Sequence, residues 1–191
     1  MCAGCCVRRI GAVILAAGAS RRLGEPKQLV MVGAEILLER SVRVAHEAGF
    51  SPVIVVLGAS AESIEAVCAL RDAEVLINDN WSEGMGASVR VGVGALRDVD
   101  GCVLTTCDMP AVTAAHLRSL VVSGEVTGSM YAGRRGVPAY FPATSFEDLM
   151  KLQGDAGAKD LLRSARCVAL ADGELDVDTI EDLKRARALF G

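Results

Sequence analysis

The chain has 191 residues, a formal net charge of −4 and 51% hydrophobic residues. That length suits one domain with a sizeable core, and the apolar content excludes extended disorder. The negative balance excludes an extended nucleic-acid footprint, and no apolar run reaches the ~18 residues of a membrane span.

Residues 1–9 read as a loose leader ahead of a single domain at 10–191. Cys2, Cys5 and Cys6 form a C-x-x-C-C cluster there. No second C-x-x-C or paired His follows at zinc spacing, so a frayed leader with exposed thiols is expected. Arg8, Arg9 and the apolar run Ile10 to Ala17 imitate a signal peptide, with Ala17-Gly18-Ala19 as its cleavage site. Cleavage there would discard the first strand. Seven cysteines, odd in number and irregularly spaced, also suit export poorly, so a cytoplasmic location is expected. Cys68, Cys102, Cys107 and Cys167 sit in apolar surroundings and are expected in the core.

From Ile10 onward strand-like and helix-like segments alternate. Ile10 to Ala17 has the length and composition of a strand buried on both faces. It gives way at Gly18 to a loop carrying Ser20, Arg21, Arg22, Gly24 and Lys27. Small residues let backbone N–H groups approach an anion, and the cations neutralise it. At the carboxyl end of a first parallel strand, where open α/β sheets hold ligands, this loop reads as a polyphosphate cradle. It is neither a dinucleotide fingerprint nor a P-loop, because Gly18 and Gly24 lie six apart and Glu25 follows.

A helix is predicted over 35–48, stopped by Gly49, then a strand over 52–58. Ser60 is the expected cap of a helix reaching Leu70. A strand at 74–78, the loop 78–88, a helix at 87–96 and a strand at 101–106 follow. Thr113 is the expected cap of a helix to Val122. Strands at 127–132 and 137–141 flank a turn at 133–136. Short helices near 145–152 and up to Arg163, a strand at 167–170 and a helix at 179–189 complete the chain. The pattern predicts a three-layer α/β/α, Rossmann-like wound sheet, mostly parallel.

Three places carry chemistry beyond the first loop. Asp108 directly follows a buried strand in T-T-C-D-M-P, so it is either a hard oxygen ligand for Mg²⁺ or a turn residue before Met-Pro. A second carboxylate is expected in the stretch Asp176-Val177-Asp178. Asp178 is the choice and Asp176 the reserve, although Asp178 stands just ahead of a capping-box-like Thr179-x-x-Asp182. In the loop 78–88, Gly84, Gly86 and Ala87 leave room for a flat group, and Ser88 and backbone amides can read a base edge. Trp81 either stacks on a ligand or packs under that loop.

The pattern A-A-G-x-S-x-R-x-G-x-P-K, here residues 16–27, resembles the signature loop of the nucleotidyltransferase superfamily. Trp81 through Gly84 to Ser88, Cys107-Asp108-Met109-Pro110, Gly136-Val137-Pro138, the segment 154–158 and Asp176-Val177-Asp178-Thr179 extend the likeness over nearly the whole chain. It is similar to the MobA-like family that attaches CMP or GMP to molybdenum cofactor, and nearest in pattern to the cytidylyltransferase branch. The resemblance implies a nucleotide-diphospho-sugar-transferase-like fold and transfer of CMP from CTP to a phosphate-bearing acceptor such as molybdopterin, with release of pyrophosphate. GTP, a sugar or polyol phosphate acceptor, or a non-catalytic nucleotide-binding cofactor chaperone are the alternatives. It implies that Leu15, Ala16, Ala17, Gly18, Ala19, Ser20, Arg22, Gly24, Lys27, Gly84 and Ser88 bind the nucleotide. Arg22, Lys27 and Asp108 would serve catalysis, and Asp108 with Asp178 would hold Mg²⁺. A molybdoenzyme or chaperone is the partner expected downstream. Two positions depart from the pattern: Val137 stands where the family has His, and Cys107 where it commonly has Gly.

Overall fold

Burial of both faces of the first strand decides the architecture. In the computed structural model, which describes residues 8–70, 72–156 and 158–191, β1 (Ile10–Ala16) is buried at every position. Ile10, Ala12, Ile14 and Ala16 pack into one apolar cluster, Val13 and Leu15 into another. Successive side chains of a strand point to opposite faces, so both faces of this sheet must be covered by helices. On one side lie α1 (Leu37–Glu47), α2 (Ala61–Val67) and α4 (Ala114–Leu120), contributing Leu38, Val42, Ile64, Leu117 and Leu120. On the other lie α3 (Met85–Ala95), α5 (Phe146–Met150) and α6 (Lys159–Leu162), contributing Val89, Val93, Leu149 and Leu162.

The sheet also contains β4 (Val53–Leu57), β5 (Glu74–Ile77), β6 (Gly101–Thr106), β7 (Thr127–Tyr131), β8 (Arg134–Pro142) and β9 (Arg166–Ala169), in the order β5-β4-β1-β6-β8-β7-β9. Only β8 runs against its neighbours. In register, Ala12 pairs with both Val53 and Val103, so β1, β4 and β6 end along one edge. That edge is where Gly18, Gly58 and Asp108 begin their loops.

A third, smaller cluster positions the site. Leu23, Val30, Val32, Leu37, Leu175, Val177, Leu183 and Ala186 pack together, docking α7 (Ile180–Phe190) beside the first loop. Among the described residues no helix is long and apolar enough to cross a membrane.

Several local expectations are corrected. The helix predicted from Glu35 starts at Leu37, because β2 (Met31–Val32) and β3 (Glu35–Ile36) form an antiparallel hairpin around Gly33 at φ +64. Ser60 stands ahead of α2 with φ +60 and makes no side-chain cap, and the helix ends at Val67 rather than Leu70. Thr113, by contrast, caps α4 by accepting from the His116 N–H. The turn expected at 133–136 is only Ala132-Gly133, both at positive φ as a two-residue hairpin demands, so Arg134 to Gly136 belong to β8. Cys68, Cys102 and Cys107 are buried, but Cys167 is exposed, because β9 is an edge strand. Cys2, Cys5 and Cys6 lie outside the described residues. Arg8 donates to the Val121 carbonyl (2.7 Å), and the Arg9 N–H donates to Asp100 (2.7 Å).

Candidate active site

The first loop is shaped by a residue that sequence reasoning missed. Gln28 is fully buried, and its Nε2 donates to the carbonyls of Ala16 (2.6 Å) and Gly18 (3.0 Å). Ser20, at φ +49, accepts the Lys27 N–H on its hydroxyl (3.0 Å). These bonds close the loop on itself and turn Lys27 inward. Among the described residues, no acceptor within the chain takes the N–H groups of Gly18, Ala19, Ser20 or Arg21. A row of such free donors beside cations suits an anion. Gly24, at φ +83, ends the turn that begins at Ser20. A polar side chain binding carbonyls ten or more residues away leaves no local pattern. The only signal for Gln28 is its place next to Lys27.

Lys27 Nζ lies 2.5 Å from Asp108 Oδ2 and 2.7 Å from Asp178 Oδ1. Arg22 reaches the other oxygen of Asp178 at 2.5 Å from an exposed position. The cap question at Asp178 is thereby answered. Thr179 and Asp182 form the reciprocal capping box of α7, leaving both Asp178 oxygens for the cations. The Val177 N–H donates to the Asp108 carbonyl (2.9 Å), with Leu175 and Val177 buried in the third cluster. Alternation along this extended stretch turns Asp176 and Asp178 the other way, into the site.

Burial works against the charge on Lys27, yet the Asp108 carboxylate and the hydrogen bond to Asp178 outweigh it and hold the ammonium above its ordinary range. Burial likewise raises Asp178, but the Lys27 hydrogen bond and charge, with Arg22, bring it below the usual carboxylate value. Asp176 has no such relief. Burial, then the charges of Asp108 and Asp178, push it up to about 6. A folded-state acid raised in this way keeps its proton where the unfolded chain has lost it, so stability falls as pH climbs from about 4 to about 6. In the presence of a chelator, Asp176→Asn is therefore expected to melt higher than wild type at about pH 7.5. The gap should close by about pH 3.5, where both states are protonated. Scanning calorimetry at those two pH values measures it, and a gap that widens in acid refutes the assignment.

Two clefts meet here. One, of about 430 Å³, is lined by Leu15, Ala16, Ala17, Gly18, Ala19, Ser20, Lys27, Gly84, Ser88 and Asp108, together with Trp81, Gln28, Thr106 and Asp155. Arg22 and Gly24 lie outside this wall, and Arg22 reaches the site through Asp178, which lines the second cleft. Ser88 is buried and accepts from Asn78 Nδ2 (2.9 Å), which anchors the head of α3. Gly84 adopts φ +111, and a Cβ there would stand 2.5 Å from the Gly154 backbone. Only glycine lets the two loops touch. The second cleft, of about 340 Å³, is lined by Lys27, Asp108, Asp155, Asp176 and Asp178, with Tyr131, Arg134, Arg135, Val137 and Lys159. Lys27 and Asp108 belong to both.

The fold and sequence are shared with known proteins. The family described as MobA-like NTP transferase domain matches residues 12–170. The chain is 31% identical to nicotine blue oxidoreductase of Paenarthrobacter nicotinovorans, over 91% of this chain and 94% of that protein. It is 32% identical to the purine catabolism protein PucB of Bacillus subtilis, over 92% and 94%. A probable molybdenum cofactor guanylyltransferase of Opitutus terrae is 31% identical over 58% of this chain and 54% of that protein. Among solved structures, Rv0371c of Mycobacterium tuberculosis in complex with manganese superposes with a TM-score of 0.79 at 32% identity, covering 94% of this chain and 98% of that one. With the sheet, the first loop and the family match in agreement, the chain belongs to the MobA-like NTP transferase domain family and is an enzyme of the nucleotidyltransferase class.

Proposed function

We propose that the protein moves CMP from CTP to a phosphate-bearing acceptor of the molybdopterin type, with Mg²⁺ as the metal and pyrophosphate as the leaving group. One observation carries the reading: Lys27 and Asp108 line both clefts, so a nucleotide in one and an acceptor in the other meet at those side chains. The free N–H groups of the first loop suit a triphosphate, and the choice of CTP rests on Ala16-Ala17-Gly18. The probable molybdenum cofactor relative supports the acceptor class.

An oxygen of the acceptor phosphate attacks the α-phosphorus, the bond to the bridging oxygen of the β-phosphate breaks, and the electron pair departs with pyrophosphate. A phosphate monoester needs no enzyme base near neutral pH, so the chain's work is positioning and charge stabilisation. Lys27, kept cationic by its carboxylates, neutralises charge between the two substrates. Arg22 does the same at the rim. The residues present also fit a divalent cation. Asp108 Oδ1 is buried without a hydrogen-bond partner, and hard cations take such oxygens, often from only one or two carboxylates plus substrate phosphates. Asp108 and Asp178 would hold it. When bound, the metal withdraws charge from the nucleotide oxygens. The manganese complex of Rv0371c supports a divalent ion.

A melting-temperature panel of CTP, GTP, ATP and UTP, with and without Mg²⁺, followed by pyrophosphate release with molybdopterin, tests the reading. Stabilisation by CTP with Mg²⁺ and turnover with molybdopterin are expected. A preference for GTP would change the base, and turnover with only a sugar or polyol phosphate would change the acceptor. Binding without pyrophosphate release from any acceptor would leave a nucleotide-binding cofactor chaperone. The 31% identity to a protein named nicotine blue oxidoreductase supports a second reading, an oxidoreductase. Stabilisation by NADPH but by no nucleoside triphosphate would select it.

A further inference from the structure

Resting on the transfer reading above, we propose that Arg134, seconded by Lys159, is the specificity-determining clamp for the acceptor's phosphate. The second cleft is lined by four cations, and two of them are already engaged. Lys27 is bound between Asp108 and Asp178. Arg135 donates to the Arg163 carbonyl (2.6 Å), which ties β8 to the end of α6. Arg134 and Lys159 have no ion-pair partner among the described residues. Asp155 and Asp176 face the same cleft without pairing to either.

Arg134 is also held in place before anything binds. Its guanidinium carbon stands 5.5 Å over the centroid of the Tyr131 ring, within the range of a cation–π contact. That ring is itself fixed: its hydroxyl donates to the Val137 carbonyl (3.0 Å), and a Cβ added at Gly173 would approach Tyr131 Cδ1 to 2.9 Å. Tyr131 and Arg134 are direct cross-strand partners across the two-residue turn, so shelf and cation move as one unit. A guanidinium presents a planar fork of donors that matches phosphate oxygens two at a time, and a pre-placed side chain loses little freedom on binding. Met109, Val137 and Leu162 form an apolar flank to the same cleft. The acceptor that fits is a phosphate monoester on a body with one apolar face.

The test uses phenyl phosphate, with phenol as its dephosphorylated counterpart, titrated by calorimetry into the full chain saturated with a non-hydrolysable CTP analogue and Mg²⁺. Wild type is expected to bind phenyl phosphate and not phenol. Arg134→Ala should weaken phenyl phosphate at least about tenfold, Lys159→Ala less, and Arg134→Lys should restore part of the loss. Affinity for the CTP analogue should stay within about twofold, since Arg134 lies outside the first cleft. No binding to wild type, or equal binding to wild type and Arg134→Ala, overturns the clamp. The transfer reading fails separately, through pyrophosphate release. A protein that binds phenyl phosphate through Arg134 yet turns over no acceptor keeps the clamp and loses the transferase. One that turns over with an unchanged acceptor KM in Arg134→Ala does the reverse.

Discussion

Asp108→Asn is expected to lower kcat by about a thousandfold or more while the fold stays intact. The substitution keeps the shape of the side chain and an oxygen for Lys27, so the 2.5 Å contact weakens without leaving a hole. What disappears is the negative charge and the buried, unpartnered Oδ1 that suits a hard cation. Removing a single preorganised electrostatic group from a water-poor site typically costs about 10²–10³ in rate, and a metal ligand that also faces the reacting atoms sits at or above that range. Pyrophosphate release at saturating nucleotide, acceptor and Mg²⁺ measures it, with melting temperature as the control for folding. Rates near wild type in a variant that melts normally would remove Asp108 from the chemistry.

Lys27→Ala is expected to be nearly as damaging to turnover, and it should also cost stability. The ammonium bridges Asp108 and Asp178 directly, alone in this among the described residues, and without it Asp176 gains two less-neutralised neighbours. Removing one partner from a buried ion pair typically costs about 3–5 kcal/mol, and these side chains are less than fully buried, so the lower part of that range applies. The loss of stability should shrink as pH falls, because the Lys27 contact that holds Asp178 below the usual carboxylate value stops contributing once Asp178 takes up its proton. Denaturant titrations at about pH 7 and about pH 3.5 separate this electrostatic cost from simple loss of packing. A destabilisation independent of pH would point to packing.

The legible parts of this protein were those that rest on short-range pattern. The apolar run at Ile10 to Ala17 announces a doubly covered strand, and the small, basic stretch behind it announces the loop that lines the first cleft. Asp108 could be placed at the same edge because it follows a buried strand directly. Less legible were features set by backbone detail. Nothing in Ala132-Gly133 distinguishes a two-residue turn from a longer one, so sequence pattern puts Arg134 in a turn although it lies in a strand lining the second cleft. The hairpin at Met31 to Ile36 is a pairing of two residues with two, too short to register as periodicity. Gln28 organises the first loop through contacts that no spacing rule describes.

Sequence by itself determined the longer strands and helices, that both faces of the sheet are covered, and that a cationic loop lies at its carboxyl edge. The sequence selects Asp178 with Asp176 in reserve, but only the tertiary structure brings Asp178 against Lys27 and Arg22. Asp178 lies beyond the matched family segment at 12–170, and 151 positions separate it from Lys27. It arrives because Leu175 and Val177 are buried against Leu23 and Val30, while the Val177 N–H bonds the Asp108 carbonyl. Local periodicity reports which face of an element is apolar, but contact between remote segments depends on how separate apolar faces pack together. Only the folded chain expresses that.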